Sequence, residues 1–303
     1  MTEEANVSAE PADDGDGEWR RVSPRYTVVV LLSVAITGLV LATAAALLAR
    51  RARSLSGSGA VAAAACGTLC VIGGWRWAGL LIAYFLAAAT LSWAGKEDKE
   101  ARSAGVISKG GRRDARQVLA NGGVYSLVAA LSAAVPATAL VWGAVGALAA
   151  ASADTWATEL GVWLGVEPRL ITSGTIVRPG ASGGVTGAGL LGSVSGAAWV
   201  ALCATLAGFR GHGVVLAALI GGFGGSIVDS LLGATVQERR WCDDCAEPTE
   251  RTVHLCGATT RRVGGIIRLD NDVVNLVSTL AGLLIGVIVY CIARNFGDWG
   301  SIG

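Results

Sequence analysis

The residues most able to do chemistry in this 303-residue chain are carboxylates at the ends of long apolar segments. Ionisable side chains at such places carry a large free-energy cost unless they are paired or hydrated, which makes them functional candidates. The candidates are Asp154, Glu159, Asp229, Asp270 and Asp272, together with the amide of Asn275. Carboxylate and amide oxygens bind hard metal ions, so this inventory is suited to a metal-dependent site.

Asp154 and Glu159 lie in one predicted helix end, ASADTWATELG (151–161). A separation of five residues on a helix turns the two carboxylates about 140° apart. They would ligate the same ion only if the helix breaks or if a second helix assists. The alternative interpretation is an ordinary polar helix end in solvent.

Asp229 lies inside an apolar segment that begins with the small residues GGFGG. A carboxylate at that depth needs a partner, either in a polar cavity used in function or in a structural hydrogen bond. Asp270, Asp272 and Asn275 open the final apolar segment. Helix capping explains one of these residues, and the other two remain candidates for a functional site.

A glycine-rich turn, PGASGGVTGAG (179–189), follows Arg178 and enters another apolar segment. Backbone N–H groups at such a helix start, with a guanidinium nearby, are suited to binding an anion. The spacing of Gly183 and Gly187 serves close helix packing equally well. Arg112 and Arg113 lie in a basic loop, where they are either topology signals and contacts to anionic lipid or ligands of a phosphate.

Three cysteines and one histidine form a separate group, with the ligand types of a structural zinc site. They are Cys242, Cys245, His254 and Cys256. Their spacing is not that of a standard zinc finger, and reduced thiols without a metal in a cytoplasmic loop are the alternative. The other cysteines lie in apolar runs and are expected to pack as small hydrophobic residues.

The elements that must position these residues are membrane helices. Hydrophobic residues make up 52% of the chain and charged residues 16%, outside the usual range of a soluble domain. Segments long enough to cross about 30 Å of hydrocarbon number seven to eight, so we predict an all-α, polytopic transmembrane helical bundle. The 43 glycines suit close helix packing in lipid. Aromatic residues make up only 6%, which argues against nucleic acid as a partner.

The charge distribution predicts the organisation of this integral, multi-pass membrane protein. Residues 1–25 form an acidic tail expected to be disordered, 26–295 the membrane domain, and 296–303 a second tail. Most Lys and Arg residues fall in the longer loops, which the positive-inside rule places in the cytoplasm. These loops are 94–118, 154–182 and 237–272, with a shorter one at 50–56.

Five ordered motifs resemble a known family: GRRDARQVLANGG, ASADTWATELG, PGASGGVTGAGLLGS, GGSIVDSLLGATVQ and LDNDVVNLVS. They are similar to the motifs of the transmembrane protein 19 family, also called domain of unknown function 92, over about residues 30–295. The family includes the plant phytyl-phosphate kinase of tocopherol synthesis. This chain has Ala153 and Ala181-Ser182 where the family commonly has a glycine and Thr-Asn.

For its characterised member the resemblance implies transfer of a phosphoryl group from a nucleoside triphosphate, CTP or ATP, to an isoprenoid monophosphate in the membrane lipid. Such transfer needs Mg²⁺ and cations on the phosphates. The expected magnesium ligands are Asp154, Asp229 and Asp272, with Glu159, Asp270 and Asn275 as further catalytic candidates. The expected phosphate-binding residues are Arg112, Arg113, Arg178, Gly183 and Gly184. A membrane carrier and a non-enzymatic scaffold are the alternatives.

Overall fold

A computed structural model describes residues 24–104, 106, 111–164 and 167–295, with side chains from residue 32 onward. The predicted tails lie outside these residues, apart from 24 and 25, which begin the first helix. The helices are α1 (Pro24–Arg51), α2 (Gly57–Gly73), α3 (Trp75–Trp93), α4 (Lys96–Arg102), α5 (Ala115–Ser132), α6 (Thr138–Trp163), α7 (Gly187–Leu206), α8 (His212–Thr235) and α9 (Asn271–Asn295). The strands are β1 (Arg169–Leu170), β2 (Gly184–Val185), β3 (Arg239–Cys242), β4 (Glu247–Thr249) and β5 (Arg261–Gly264).

The longer connections gather at one end of the helix bundle, which we call the loop end. Helices α1, α3, α6 and α8 end there, and α2, α5, α7 and α9 begin there. Contacts between the connections establish this arrangement. Leu55 pairs with Arg113, and the Glu250 side chain contacts Ser182. The connection before α9 folds into a three-stranded antiparallel sheet in the order β4-β3-β5, and β1 pairs with β2.

Helix α6 lies at the centre of the bundle, in contact with α3, α5, α7, α8 and α9. Its residues from Trp142 to Ala153 are buried, and nine of these twelve are Gly, Ala or Ser. Small residues let helix backbones approach closely in a membrane protein. At Gly146, a Cβ atom would lie 2.4 Å from the carbonyl oxygen of Gly282 in α9, so only glycine allows this contact.

The surface of the bundle is apolar, as expected for helices that face lipid. Large aliphatic side chains are exposed on its perimeter, including Val61, Leu191 and Leu284. Five of the described helices are long and apolar enough to cross a membrane: α1, α3, α7, α8 and α9. Helix α2 is apolar but has only 17 residues. The prediction of an all-α polytopic bundle is confirmed. The predicted number of seven to eight spans is only approximate.

The structure differs from the predicted loop boundaries in three places. Helix α6 continues to Trp163, so the predicted loop 154–182 begins inside a helix. The predicted loop 94–118 contains α4 and the start of α5, and 237–272 contains a small sheet. The polar residues near the end of α6 remain helical because neighbouring helices supply hydrogen-bond and ion-pair partners for them. The sequence of α6 alone does not reveal these partners.

Candidate functional site

The carboxylates of Asp154 and Asp229 meet at the loop end of the bundle. Asp154 lies about two-thirds of the way along α6 and Asp229 three-quarters of the way along α8, and their side chains are hydrogen-bonded to each other. Both residues are half-buried. Two carboxylates at hydrogen-bond distance in such surroundings require a shared proton or a cation, because two negative charges would repel each other strongly.

The amide of Asn275 completes this contact from a third helix. In the orientation that satisfies both ends of the amide, its nitrogen donates to Asp229 Oδ2 at 2.9 Å and to the carbonyl of Asn271 at 3.3 Å. Asn275 is 8% exposed and lies in the first turns of α9. Three predicted catalytic residues from α6, α8 and α9 are thus brought together. We call Asp154, Asp229 and Asn275 the acidic centre.

Asp270 and Asp272 lie at the start of α9 and are paired with Arg116 of α5. Arg116 Nη1 is 2.8 Å from Asp270 Oδ2, and Arg116 Nε is 3.6 Å from Asp272 Oδ2. Asp270 also accepts a hydrogen bond from the backbone N–H of Val273, so it caps the helix. Asp272 is buried one helical turn before Asn275, whereas Asp270 and Arg116 reach the surface. The guanidinium is therefore paired with a carboxylate that lies one helical turn of α9 before Asn275.

The glycine-rich turn lies against the end of α8. Gly183 has a left-handed backbone (φ +77°), and a Cβ atom there would lie 2.4 Å from the backbone nitrogen of Ala234. The N–H of Gly184 donates to the carbonyl of Ala181. The predicted phosphate-binding glycines thus shape the turn and fix it beside α8, one helical turn beyond Asp229.

The side chain of Glu250 occupies this glycine-rich turn. It accepts hydrogen bonds from both the hydroxyl and the backbone N–H of Ser182. Gln237 donates to Ser182 Oγ at 2.7 Å and to Glu250 Oε1 at 3.2 Å. Burial raises the pKa of Glu250 to about 7, although the hydrogen bonds from Ser182 act to lower it. The turn therefore holds a carboxyl group of the chain itself, and phosphate binding by this turn stays a prediction.

Glu159 belongs to a different polar group, on the face of α6 that meets α3 and α4. Its carboxylate is paired with Lys99 and accepts a hydrogen bond from Ser92. The Lys99 ammonium is buried and also donates to the carbonyl of Leu91 at 2.6 Å. Because α6 is unbroken between Asp154 and Glu159, the structure does not bring these two carboxylates to one ion.

The predicted phosphate-binding arginines are spread over the loop end. Arg113 donates to Ser92 Oγ at 3.0 Å and to the carbonyl of Ala88, so it belongs to the group around Glu159. Arg178 forms a surface ion pair with Glu247 at 2.8 Å. Arg112 is exposed. Tyr84 links the two polar groups, since it is hydrogen-bonded to Thr155 and lies within electrostatic range of both Arg113 and Asp154.

The cysteines and the histidine of the last connection converge in space. One ligand atom from each of Cys242, Cys245, His254 and Cys256 lies within 4.8 Å of the others. Cys242 ends β3, and His254 and Cys256 lie between β4 and β5. The predicted zinc ligands therefore form one cluster.

Sequence reasoning did not identify Glu250 and Lys99 as parts of these polar groups, whereas Gln237 follows Asp229 on one predicted helical stripe at i, i+8. Glu250 lies in a polar connection whose path over the bundle no local pattern reveals. Lys99 stands in the charged run KEDKEAR, which is typical of an exposed helix. Arg116 carried a usable signal, because it lies in the first turn of an apolar helix inside the motif GRRDARQ.

Comparisons with known proteins identify the family to which this chain belongs. The family model described as integral membrane protein DUF92 matches residues 40–283. Protein PGR of Arabidopsis thaliana is 33% identical over 253 residues, which cover 75% of this chain and 86% of the plant protein. An uncharacterized membrane protein of Methanocaldococcus jannaschii is 31% identical over 247 residues, covering 81% of this chain and 90% of that protein.

An uncharacterized membrane protein of Synechocystis is 29% identical over 170 residues, covering 55% of this chain and 65% of its own length. No solved structure matches the chain. The family match spans most of the helical bundle and includes every member of the acidic centre. This integral membrane protein therefore belongs to the DUF92 family, the transmembrane protein 19 family that also includes the plant phytyl-phosphate kinase.

Proposed function

We propose that this protein is a membrane-bound kinase that transfers a phosphoryl group from a nucleoside triphosphate to an isoprenoid monophosphate. The observation that carries the proposal is the contact between Asp154 and Asp229, joined by Asn275, at the loop end of the bundle. In the reaction, an oxygen of the lipid phosphate attacks the γ-phosphorus of the nucleotide, the β–γ P–O bond breaks, and the nucleoside diphosphate leaves.

The acidic centre suits a magnesium ion. Mg²⁺ prefers oxygen ligands and is commonly held by one or two carboxylates together with substrate phosphates. A divalent cation between Asp154 and Asp229 would neutralise the repulsion between their carboxylates. Asp272 lies one helical turn from Asn275 and is the third expected ligand. When bound, the ion would offset charge on the transferred phosphoryl group.

Arg116 is the cation best placed to meet a phosphate at this site. Its side chain is 58% exposed, and its guanidinium already lies beside Asp270 and Asp272. A guanidinium binds phosphate oxygens through two parallel hydrogen bonds, which orients the group as well as attracting it. Arg113 and Arg178 are bonded to other residues, so in this proposal they hold neighbouring segments in place and do not contact the phosphate.

Packing beneath the acidic centre favours a kinase over a carrier. Gly225, Ala150 and Ser278 each lie about one helical turn below a member of the acidic centre. A Cβ atom at Gly225 would lie 2.4 Å from Ala150 Cβ and 3.0 Å from the carbonyl of Ser278. Helices α6, α8 and α9 are therefore in direct contact on that side. A carrier needs access from both faces, whereas an enzyme acting on a lipid headgroup needs access only from one.

The experiment is a phosphoryl-transfer assay on the full-length protein purified in detergent. Radiolabelled CTP and ATP are offered with phytyl and geranylgeranyl monophosphate, and the labelled lipid diphosphate is measured. We expect Mg²⁺-dependent product from the wild type and a loss of at least about 100-fold in Asp154→Asn, as for removal of a key electrostatic group. Glu100→Gln, an exposed carboxylate of α4, is the matched control and should retain activity.

A second readout separates loss of metal binding from loss of folding. Mg²⁺ should raise the thermal midpoint of the wild type, because a ligand that binds only the folded state stabilises it by about 2.7 kcal/mol at 100 times its Kd. Asp154→Asn should fold but lose this response. Absence of any lipid product from the wild type, or full activity in Asp154→Asn, would refute the kinase.

A further inference from the structure

The last connection of the chain brings three thiols and an imidazole to one point, away from the acidic centre. Cys242 is fully buried and His254 is 7% exposed, whereas Cys245 and Cys256 reach the surface. The Sγ atoms of Cys242 and Cys256 are 3.7 Å apart, and His254 Nδ1 is 3.4 Å from Cys256 Sγ. The sulfur separation is far longer than the ~2.05 Å of a disulfide bond.

These separations match those of a tetrahedral metal site. With Zn–S bonds of about 2.3 Å and Zn–N bonds of about 2.0–2.1 Å, tetrahedral angles place two sulfurs about 3.8 Å apart and a sulfur and a nitrogen about 3.6 Å apart. Four ligand atoms within 4.8 Å of one another can therefore surround one ion without rearrangement of the backbone. The Nδ1 atom of the buried His254 ring faces Cys256 Sγ, so this nitrogen is the one that would bind the ion.

The surrounding sheet is too small to be stable by itself. Its strands β3, β4 and β5 contain four, three and four residues. Sheets of this size rarely bury enough apolar surface to fold, and small domains of this kind commonly depend on a metal or on disulfides. The four residues stand on both sides of β4, so a bound ion would tie the beginning of this segment to its end.

We propose that Cys242, Cys245, His254 and Cys256 bind one structural Zn²⁺ that holds the connection between α8 and α9 in its folded form. Three thiolates and one imidazole are a donor set that selects zinc, and four protein ligands leave no open position for catalysis. Zinc binding to such sites couples directly to folding. The proposal concerns metal content and local order, so it stands apart from the kinase proposal.

The site has a consequence for the glycine-rich turn. Glu250 lies between the two pairs of zinc ligands, immediately after β4, and it reaches across to the hydroxyl and N–H of Ser182. Arg178, just before the turn, is paired with Glu247 of β4. The zinc-bound segment therefore contacts the turn at two points and fixes its position beside the acidic centre.

The test measures metal in the full-length protein purified in detergent without added metal or chelator. We expect about one zinc per chain in the wild type by elemental mass spectrometry. Cys245→Ser removes an exposed ligand, and Cys291→Ser removes an exposed cysteine of α9, so the two variants are a matched pair. After dialysis against a chelator of moderate affinity, Cys245→Ser should retain less than about a tenth of the zinc, because loss of a ligand lowers affinity by at least 10–100-fold. Cys291→Ser should retain zinc as the wild type does.

Cobalt substitution and amide hydrogen exchange test the site in the wild-type protein, so they do not depend on the folding of a variant. Wild-type protein loaded with Co²⁺ in place of zinc should show the visible absorption of a tetrahedral thiolate complex. Chelation of the wild type should speed amide exchange within 237–265, while exchange within α6 stays unchanged. Wild type without stoichiometric zinc, iron in place of zinc, equal zinc in the two variants, or exchange that chelation does not alter would each overturn the proposal.

Discussion

At the scale of single residues, the two carboxylates of α6 have different partners because of their positions on the helix. Asp154 faces α8 and α9 and contacts another carboxylate, whereas Glu159 faces α3 and α4 and is paired with Lys99. A carboxylate with a cationic partner is neutralised locally, while a pair of carboxylates needs a proton or a cation from outside. This difference makes Asp154 a candidate for metal binding and Glu159 a candidate for a structural role.

The Lys99–Glu159 pair leads to a prediction about stability. Lys99→Met should leave a mostly buried carboxylate without its cation and lower the free energy of unfolding by about 3 kcal/mol. Glu159→Gln should be destabilising as well, because it leaves the ammonium unpaired. The double variant should lose less than the sum of the two single losses. Thermal unfolding in detergent completes this double-mutant cycle, and strictly additive losses would show that the two side chains do not interact.

Glu250 leads to a prediction about pH. Its pKa of about 7 in the folded protein is above the usual value of 4.5 for Glu, because burial disfavours the charged form. The folded state therefore holds this proton more tightly than the unfolded state does, so its stabilising contribution is present below pH 4.5 and is lost as the pH rises through 7.

Glu250→Gln should remove this dependence, since the neutral amide resembles the protonated acid. The variant should exceed the wild type in thermal midpoint only modestly near pH 5.5, and this difference should grow by a few degrees by pH 8.5. The pH dependence of all other groups cancels in this difference. A constant difference between the two midpoints across this range would show that Glu250 is already charged at pH 5.5.

At the scale of elements, the helices are held together by contacts between glycine backbones. Gly146 of α6 lies against Gly282 of α9, and each would place a Cβ atom within 2.6 Å of the other's carbonyl oxygen. These contacts bring the helices close enough for Asp154, Asp229 and Asn275 to meet about two helical turns away. The distances between the side chains of the acidic centre thus depend on glycines, which let the helix backbones approach each other.

Gly146→Ala should destabilise the bundle by about 1–3 kcal/mol, because the added methyl group forces apart two packed backbones. Gly79→Ala is the matched control: Gly79 also lies inside a helix, and nothing is within 4 Å of a Cβ atom built there. Alanine is the better helix former, so this control should be neutral or up to about 1 kcal/mol more stable. Equal effects of the two substitutions on thermal unfolding would contradict the packing described here.

The sequence was most informative about elements and least informative about contacts between them. Apolar runs located the long helices within a few residues, since length and composition suffice to mark a membrane segment. They misplaced the end of α6, because Thr155 and Glu159 look like a polar loop until Tyr84 and Lys99 are seen beside them. The hydrogen bonds from Ser182 to Glu250 join residues 68 positions apart and have no local signature.

At the scale of the whole molecule, the arrangement has two unlike ends. The loop end carries the acidic centre, the polar group around Glu159 and the cysteine cluster. Within the described residues, the helices are joined at the opposite end by short turns such as the one at Gly208 and Gly211. Because most Lys and Arg residues lie at the loop end, the positive-inside rule predicts that this end faces the cytoplasm. A cytoplasmic loop end would also give the acidic centre access to nucleotides and keep the cysteines reduced.

Impermeant thiol labelling of membrane vesicles tests this orientation. Glu100→Cys marks the loop end on α4, and Arg210→Cys marks the short turn before α8 at the other end; both positions are exposed. In inside-out vesicles the label should be found at residue 100 and not at residue 210, and in right-side-out vesicles the pattern should reverse. Mass spectrometry of the labelled peptides separates these positions from the native cysteines. Labelling of residue 100 from the outside would place the acidic centre away from cytoplasmic nucleotides, and the kinase would then lack a phosphoryl donor on the side where its carboxylates meet.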